Sequence, residues 1–367
     1  MKEWTTKKIE DICDRASSGI AQNKIEGLSG EYPIYGASGY IQNVDFYHRD
    51  APYVGIVKDG SGVGRVNTYP AFSSLLGTMQ YIIPRNGYSL GYIAYALKSL
   101  RLSSFATGAA IPHIYFRDYG KCKIPVPTTL AEQEWVVAEL DLLAGIIDKQ
   151  KRQLAELDTL AQSIFYDMFG DPVVNEKGWE VRTFGDIGTL KRGSGLSKKD
   201  LIDEGYPCIL YGQVHTRFGA YTEKHISCIP DDLISTAKIA HPGDLIMAIT
   251  SEDVEGSCKS TAWLGKYDIA VGSDAAIFGH NQDGIYLSYY TRTVAFFNEK
   301  SKYARGFKVT HISTKEIETI PVMLPPIDLQ KVFSTKIKFI ESQKASIKRS
   351  IAESQKLFDY TMDKYFG

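Results

Sequence analysis

Cysteine is scarce in this chain. There are five in 367 residues, Cys13, Cys122, Cys208, Cys228 and Cys258. The number is odd and no two stand at metal-ligand spacing, which argues against a disulfide framework or a zinc site and for reduced packing residues. A long apolar run is missing too, as is a charged-then-apolar leader. A soluble, cytoplasmic protein with no membrane contact is therefore expected. Net charge is −1, so no polybasic signature announces nucleic acid. Residues 1–129 carry 14 basic and 10 acidic side chains, and residues 171–325 carry 17 and 20. Any DNA contact must come from a local patch or from a basic partner. Catalytic motifs are absent as well: no G-x-x-x-x-G-K-S/T loop, no H-E-x-x-H, no G-x-S-x-G elbow. The turn Gly60-Ser61-Gly62-Val63-Gly64 lacks the spacing of a phosphate loop. Asp171-Pro172-Val173-Val174 is the nearest approach to an amine-gripping Asn/Asp-Pro-Pro-aromatic motif, and it fails. No catalytic residue and no metal ligand is assigned.

What the chain does have, it has twice. Residues 130–169 match residues 327–366 at a constant offset of 197. The inner positions of the first copy are Val136, Leu140, Leu143, Ile147, Gln150, Leu154, Leu157 and Ala161. Those of the second are Phe333, Ile337, Ile340, Lys344, Ile347, Ile351, Ser354 and Phe358. Both sets step alternately by four and three, the spacing of a seam between two long helices. The first copy has three basic and eight acidic residues, the second eight and five. Opposite charge beside a shared seam favours pairing one copy with the other. Thr129 with Glu132 reads as a capping box, Pro325-Pro326 as a helix start, and Phe169-Gly170 and Phe366-Gly367 as stops.

The segments before the helices repeat as well. Glu3-Trp4 is echoed by Gly178-Trp179, and Ile9-Glu10-Asp11-Ile12 by Phe184-Gly185-Asp186-Ile187. The stretch Tyr32-Pro33-Ile34-Tyr35-Gly36 is echoed by Tyr206-Pro207-Cys208-Ile209-Leu210-Tyr211-Gly212, and Gly108 to Ile114 by Gly306 to Ile312. Short β-prone runs with few helices read as α+β. The expected architecture has two α/β domains and an antiparallel two-helix coiled coil, related by an internal pseudo-twofold repeat. The boundaries are residues 1–129, 130–170, 171–325 (opening with a short connector) and 326–367. The short connector favours an antiparallel return. About two dozen extra residues sit inside the second domain.

DNA readers need donors on exposed loops, Arg or Lys for phosphate and guanine, Asn or Gln for adenine. Candidates in the first domain are Lys24, Tyr35, Lys58, Ser61, Arg65 and Tyr115. In the second they are Lys191, Arg192, Tyr211, Gln213, Thr250, Lys259 and Lys308. His113 and His311 occupy corresponding places; each either donates to a base or phosphate or fixes the last turn by a backbone hydrogen bond. Leu140, Leu143, Ile147, Leu154, Leu157, Ile337, Ile340, Ile347, Ile351 and Phe358 form the expected helix seam.

Each half opens Trp…(Phe/Ile)-x-Asp-Ile, continues to Tyr-Pro…Tyr-Gly and Gly-x-x-(Ile/Val)-x-His-Ile, and closes with Ile-Pro-Val before a long helix ending Phe-Gly. Lys58-Asp59-Gly60-Ser61 adds a basic-Gly-Ser turn. In this combination the chain resembles the DNA-specificity subunit of type I restriction-modification systems, over its whole length and twice. It departs in having Leu329 where the family usually has Glu, and Thr128-Thr129 in place of a second proline pair. The resemblance implies a non-catalytic reader of double-stranded DNA with a bipartite target. Each target-recognition domain would read one half, and the helices would set the spacer. Two methyltransferase subunits would dock on the helices and hold S-adenosylmethionine, while this chain would bind no cofactor. Two restriction/translocase subunits would join when present. The alternative is a stand-alone two-domain DNA-modifying enzyme or nuclease; a scaffold that ignores DNA is a third possibility.

Overall fold

The computed structural model describes residues 4–108, 110–304 and 309–367. They fall into two compact units, Met1–Arg152 with Lys348–Gly367, and Gln153–Ile347. None of the described helices is long and apolar enough to cross a membrane.

The first unit is built on an antiparallel sheet in the order Cys13–Ser17, Met79–Pro84, Tyr53–Val57, Val66–Tyr69. Tyr53–Val57 is buried at every position, as its unbroken apolar run demands of a strand covered on both faces. Alternation divides its side chains between two cores. Val54 and Ile56 pack with Ile82 and the helix Leu90–Ser99, whose Tyr92, Ile93 and Leu97 are buried. Tyr53 and Val57 face the other way, with Tyr81, Met79 and Leu75. Beyond them lies a small sheet, Gly39–Val44 beside Tyr32–Gly36 beside Ser74–Leu75.

The second unit repeats the plan. Gly188–Arg192, Ala275–His280, Leu245–Ala248 and Lys259–Trp263 form the same antiparallel order, extended by Tyr221–Thr222. Leu245 and Met247 face the helix Gly284–Tyr290, while Ile246 and Ala248 face Trp263 and Val271. The small sheet has gained a strand and runs Ser227–Ile229, Tyr206–Ile209, Ile269–Val271, Lys238–Ala240. Most of the extra sequence lies between Ile209 and Leu245, where a helix, Tyr211–Thr216, replaces the tight turn after Gly36.

The duplicated fastenings are polar. Tyr92 Oη donates to the Pro125 carbonyl at 2.8 Å, and Tyr286 Oη to the Met323 carbonyl at 2.6 Å. Gln133, 1% exposed, accepts from Ser89 N and donates to the Gly87 and Pro127 carbonyls. Gln330, fully buried, accepts from Asp283 N and donates to the Pro325 carbonyl. Each glutamine thus satisfies the amide of a helix N-cap and the carbonyl of a strand end, groups that burial would otherwise leave unpaired. The opening and closing strands pair alike, Thr5–Lys8 with Lys123–Val126 and Glu180–Thr183 with Pro321–Leu324.

Both long helices are continuous, Leu130–Phe169 and Ile327–Phe366, 40 residues each. Glu132 N donates to Thr129 Oγ1 at 3.2 Å, as the capping box requires. Gly170 ends the first helix at φ +78°, its N–H on the Tyr166 carbonyl. Every expected seam residue is buried or half-buried: Leu140, Leu143, Ile147, Ile337 and Ile340 are buried, and Leu154, Leu157, Ile347, Ile351 and Phe358 are half-buried. Within the first unit, Glu139 meets Tyr365 and Gln150 meets Ser350. Within the second, Asp158 meets Lys344 and Phe169 meets Phe333. In each unit the partner number falls as the first helix advances, so the segments are antiparallel. Among the described residues, the ion pair that crosses this seam is Lys344–Asp158.

Candidate nucleic-acid interface

In both units most of the candidate residues collect where the central strand ends. In the first, Tyr53–Val57 runs into the loop Lys58 to Arg65. Gly64 turns it back at φ +85°, its N–H on the Val57 carbonyl; a Cβ there would lie 2.4 Å from Ser103 N, so only glycine lets the loop sit this close to its support. Ser61 and Arg65 are exposed and line an open cleft of about 800 Å³ with Asp59, Ala37, Ser38 and Gln22. Arg65 Nη1 donates to the Ala37 carbonyl at 2.9 Å, joining the loop to the Tyr35–Tyr40 turn. Tyr35 packs its ring on Tyr69 at 4.8 Å. Lys24 is exposed on a neighbouring turn.

Asp59 is the hub. Its carboxylate accepts from Lys58 Nζ and, at 2.8 Å, pairs with His113 Nδ1. Partial burial pushes the Asp59 carboxyl up, but the Lys58 and His113 hydrogen bonds outweigh it and hold it below the usual carboxylate range. Ile114 N reaches the Lys58 carbonyl at 2.9 Å. Tyr115, just beyond, is exposed, with the Arg117 guanidinium 4.7 Å over its ring.

The second unit places Thr250 where the first has Asp59. Thr250 Oγ1 meets His311 Nδ1 at 3.2 Å, and Ile312 N reaches the Ile249 carbonyl at 3.1 Å. The Thr250 carbonyl accepts from His215 Nε2 at 3.0 Å, and Lys259 Nζ donates to the His215 carbonyl at 2.7 Å. Burial lowers the Lys259 ammonium, and Arg292 lowers it further. Arg192 donates Nε to the Ser273 carbonyl and lies 3.6 Å from Asp274. The exposed Tyr211 ring sits 6.0 Å from the His215 ring.

The model for type I restriction-modification DNA specificity domains matches residues 1–159 and again residues 176–354. The chain belongs to that family. The MjaVIII specificity subunit of a Methanocaldococcus jannaschii type I restriction enzyme is 23% identical over 274 residues, 68% of this chain and 63% of that protein. The EcoKI specificity subunit of Escherichia coli is 20% identical over 179 residues, 47% and 38% of the two chains. The matched region thus spans under two thirds of the first relative's length. Among solved structures, the S subunit of a type I restriction-modification system from M. genitalium aligns at a TM-score of 0.62 and 15% identity, covering 100% of this chain and 96% of its own. These likenesses show a shared two-domain α+β fold.

For a specificity-family chain, the structure sorts the candidates into groups. Ser61 and Arg65 share the first cleft, and Lys58 and His113 share the Asp59 hub. Arg192, Thr250, Lys259, His311 and Tyr211 form one neighbourhood in the second unit, and Lys191 is exposed on the strand beside it. Gln213 is engaged inside the protein: its carbonyl accepts from Leu210 N and its amide donates to Ser227 Oγ. Lys308 lies outside the described residues. The two histidines make the same link in both units, tying the closing segment to the end of the central strand. Sequence reasoning passed over Asp59, Asp274 and His215, because the contacts that place them in the site, to His113, Arg192 and Thr250, are distant in the chain. It also passed over Lys198 and Lys199, exposed on a capped turn just after Lys191 and Arg192; that run of cations was a usable local signal.

Proposed function

We propose that this chain is the non-catalytic sequence reader of a type I restriction-modification enzyme. Residues 1–129 and 171–325 act as two target-recognition domains, each reading one half of a bipartite double-stranded DNA target. The helices of residues 130–170 and 326–367 set the spacer and dock two methyltransferase subunits. Those subunits hold S-adenosylmethionine, this chain binds no cofactor, and two restriction/translocase subunits join when present. The reader works where the DNA is, in the cytoplasm.

The carrying observation is a framework fastened identically in both domains that presents two dissimilar loops from the same place. A shared frame multiplies specificities when each domain reads a different half at a fixed spacing. In the first domain, Arg65, Ser61, Lys58, Tyr35, Lys24 and Tyr115 supply donors and a stacking face. In the second, Lys191, Arg192, Thr250, Lys259 and Tyr211 do so, with His113 and His311 bracing the loops. A near-neutral chain fits this role if its partners share the phosphate contacts.

Mapping methylated adenines in a host that carries the chain and its methyltransferase gives the bipartite target. Arg65→Ala should then weaken binding, by about 1–3 kcal/mol, when the first half-site is intact and lose sensitivity to substitutions there. If both halves of the target changed together, the two-reader arrangement would be wrong.

A further inference from the structure

The loop Thr250 to Cys258 is held from beneath by a buried lysine. Lys300 lies on the helix Val294–Ser301 and is 4% exposed. Its ammonium donates to the carbonyls of Glu255, at 2.8 Å, and Ser257, and lies 5.5 Å from the Phe297 ring centroid. Both acceptors are backbone carbonyls rather than carboxylates. A charge taken out of water without a hydrogen-bonded carboxylate is costly, and here the two loop carbonyls supply the hydrogen bonds that offset it.

What it holds is a strained return. Cys258 sits at φ +59°, where a residue with a Cβ is disfavoured, and its N–H donates to the Ala248 carbonyl at 2.8 Å. The Ser257 carbonyl that Lys300 grips belongs to the peptide entering that residue. The first domain solves the same problem with Gly64, which rests directly on the backbone of Ser103. The second domain has no glycine there and uses a buried ammonium instead. Above it, the loop is self-braced, with Gly256 N on Asp253 Oδ1 and Ser257 Oγ on the Val254 carbonyl.

We propose that Lys300 is the positioning residue of the second domain's recognition loop and sets how strictly the second half-site is read. This rests on the reader function above. The test maps methylation motifs with the full chain and its methyltransferase, for wild type, Lys300→Met and Lys300→Arg. A wild type without a bipartite motif would count against the reader itself, and leave Lys300 out of account. With the motif in hand, Lys300→Met should lower discrimination about tenfold at positions in the second half and leave the first half unchanged. Lys300→Arg, which keeps a cationic donor, should recover most of it. An unaltered second half in the Met variant, equal loss at both halves, or an Arg variant as relaxed as the Met variant overturns the proposal. If Lys300→Met yields no soluble protein, Lys300→Gln is read by the same criteria.

Discussion

The two domains agree in what fastens them and differ in what they present. Tyr92 and Tyr286 close the same gap, and Gln133 and Gln330 join the same helix cap to the same strand end. At the end of the central strand the likeness stops. The first domain offers Lys58, Ser61 and Arg65 on a glycine-rich loop. The second offers Thr250 followed by exposed Glu252, Asp253 and Glu255, with Lys198 and Lys199 nearby in sequence to Arg192. Buried groups must satisfy one another, so one solution persists through duplication. Solvent-facing loops carry no such constraint. The histidines repeat while their partners differ: each links its closing segment to the end of the central strand, through Asp59 in one domain and Thr250 in the other.

The comparison can be broken first in the cores. Phe333 and Val136 are equivalent seam positions, both fully buried. Phe333 packs on Phe165, Phe169 and Tyr289, so Phe333→Ala should cost about 3–5 kcal/mol. Val136→Ala loses two methyl groups and should cost about 2 kcal/mol. Urea unfolding followed by hydrogen exchange in each domain measures both, and equal costs would mean that the aromatic cluster adds nothing. Next come the glutamines. Gln133→Leu and Gln330→Leu should each cost about 2–3 kcal/mol, because each strands a buried amide and a carbonyl. Unequal values in the same assay would show that the duplicated fastening is not energetically duplicated.

The smallest effect concerns acid. His280 ends a strand where the first domain has Pro84, and burial lowers its pKa to about 4. The unfolded chain takes up this proton near pH 6.5, before the folded one does. Stability of the second domain should therefore fall as pH drops from about 6.5 towards 4, by about 1–2 kcal/mol at pH 5. His241 works oppositely: its hydrogen bond to Asp268 raises its pKa, giving stability that is present at low pH and lost as pH rises. It is solvent-exposed and screened; Asp244, whose carboxyl partial burial raises, also opposes His280, so the His280 contribution is the part of the acid loss that disappears in a His280 variant. Thermal melts of wild type and His280→Gln at pH 7 and pH 5 check this; an acid loss that survives in the variant would assign it elsewhere.

Much of the fold was legible. The helix spans and their seam follow from spacing that the chain repeats, while the pairing of the opening strands with the closing ones emerged only in the structure. The helix Tyr211–Thr216 was not, because the echo of the Tyr-Pro stretch suggested the first domain's turn. The candidate interface was legible only by residue type. Arg65 and Gln213 looked alike as donors, yet Arg65 is exposed on the cleft while both ends of the Gln213 amide are bonded within the domain. Lys259 gives one of its three N–H groups to the His215 carbonyl, a tie that no local spacing announces.

By itself, the sequence determined that there are two copies of one frame, how long the helices are and which faces they bury. Those properties are periodic and local, and 3.6- and 2-residue repeats write them directly into the order of residues. Only the tertiary structure decided which polar side chains remain free for another molecule. Hydrogen bonds such as Asp59–His113 and Lys300–Ser257 join residues far apart in the chain. Their existence depends on where the sheets bring those residues, and no local spacing carries that information.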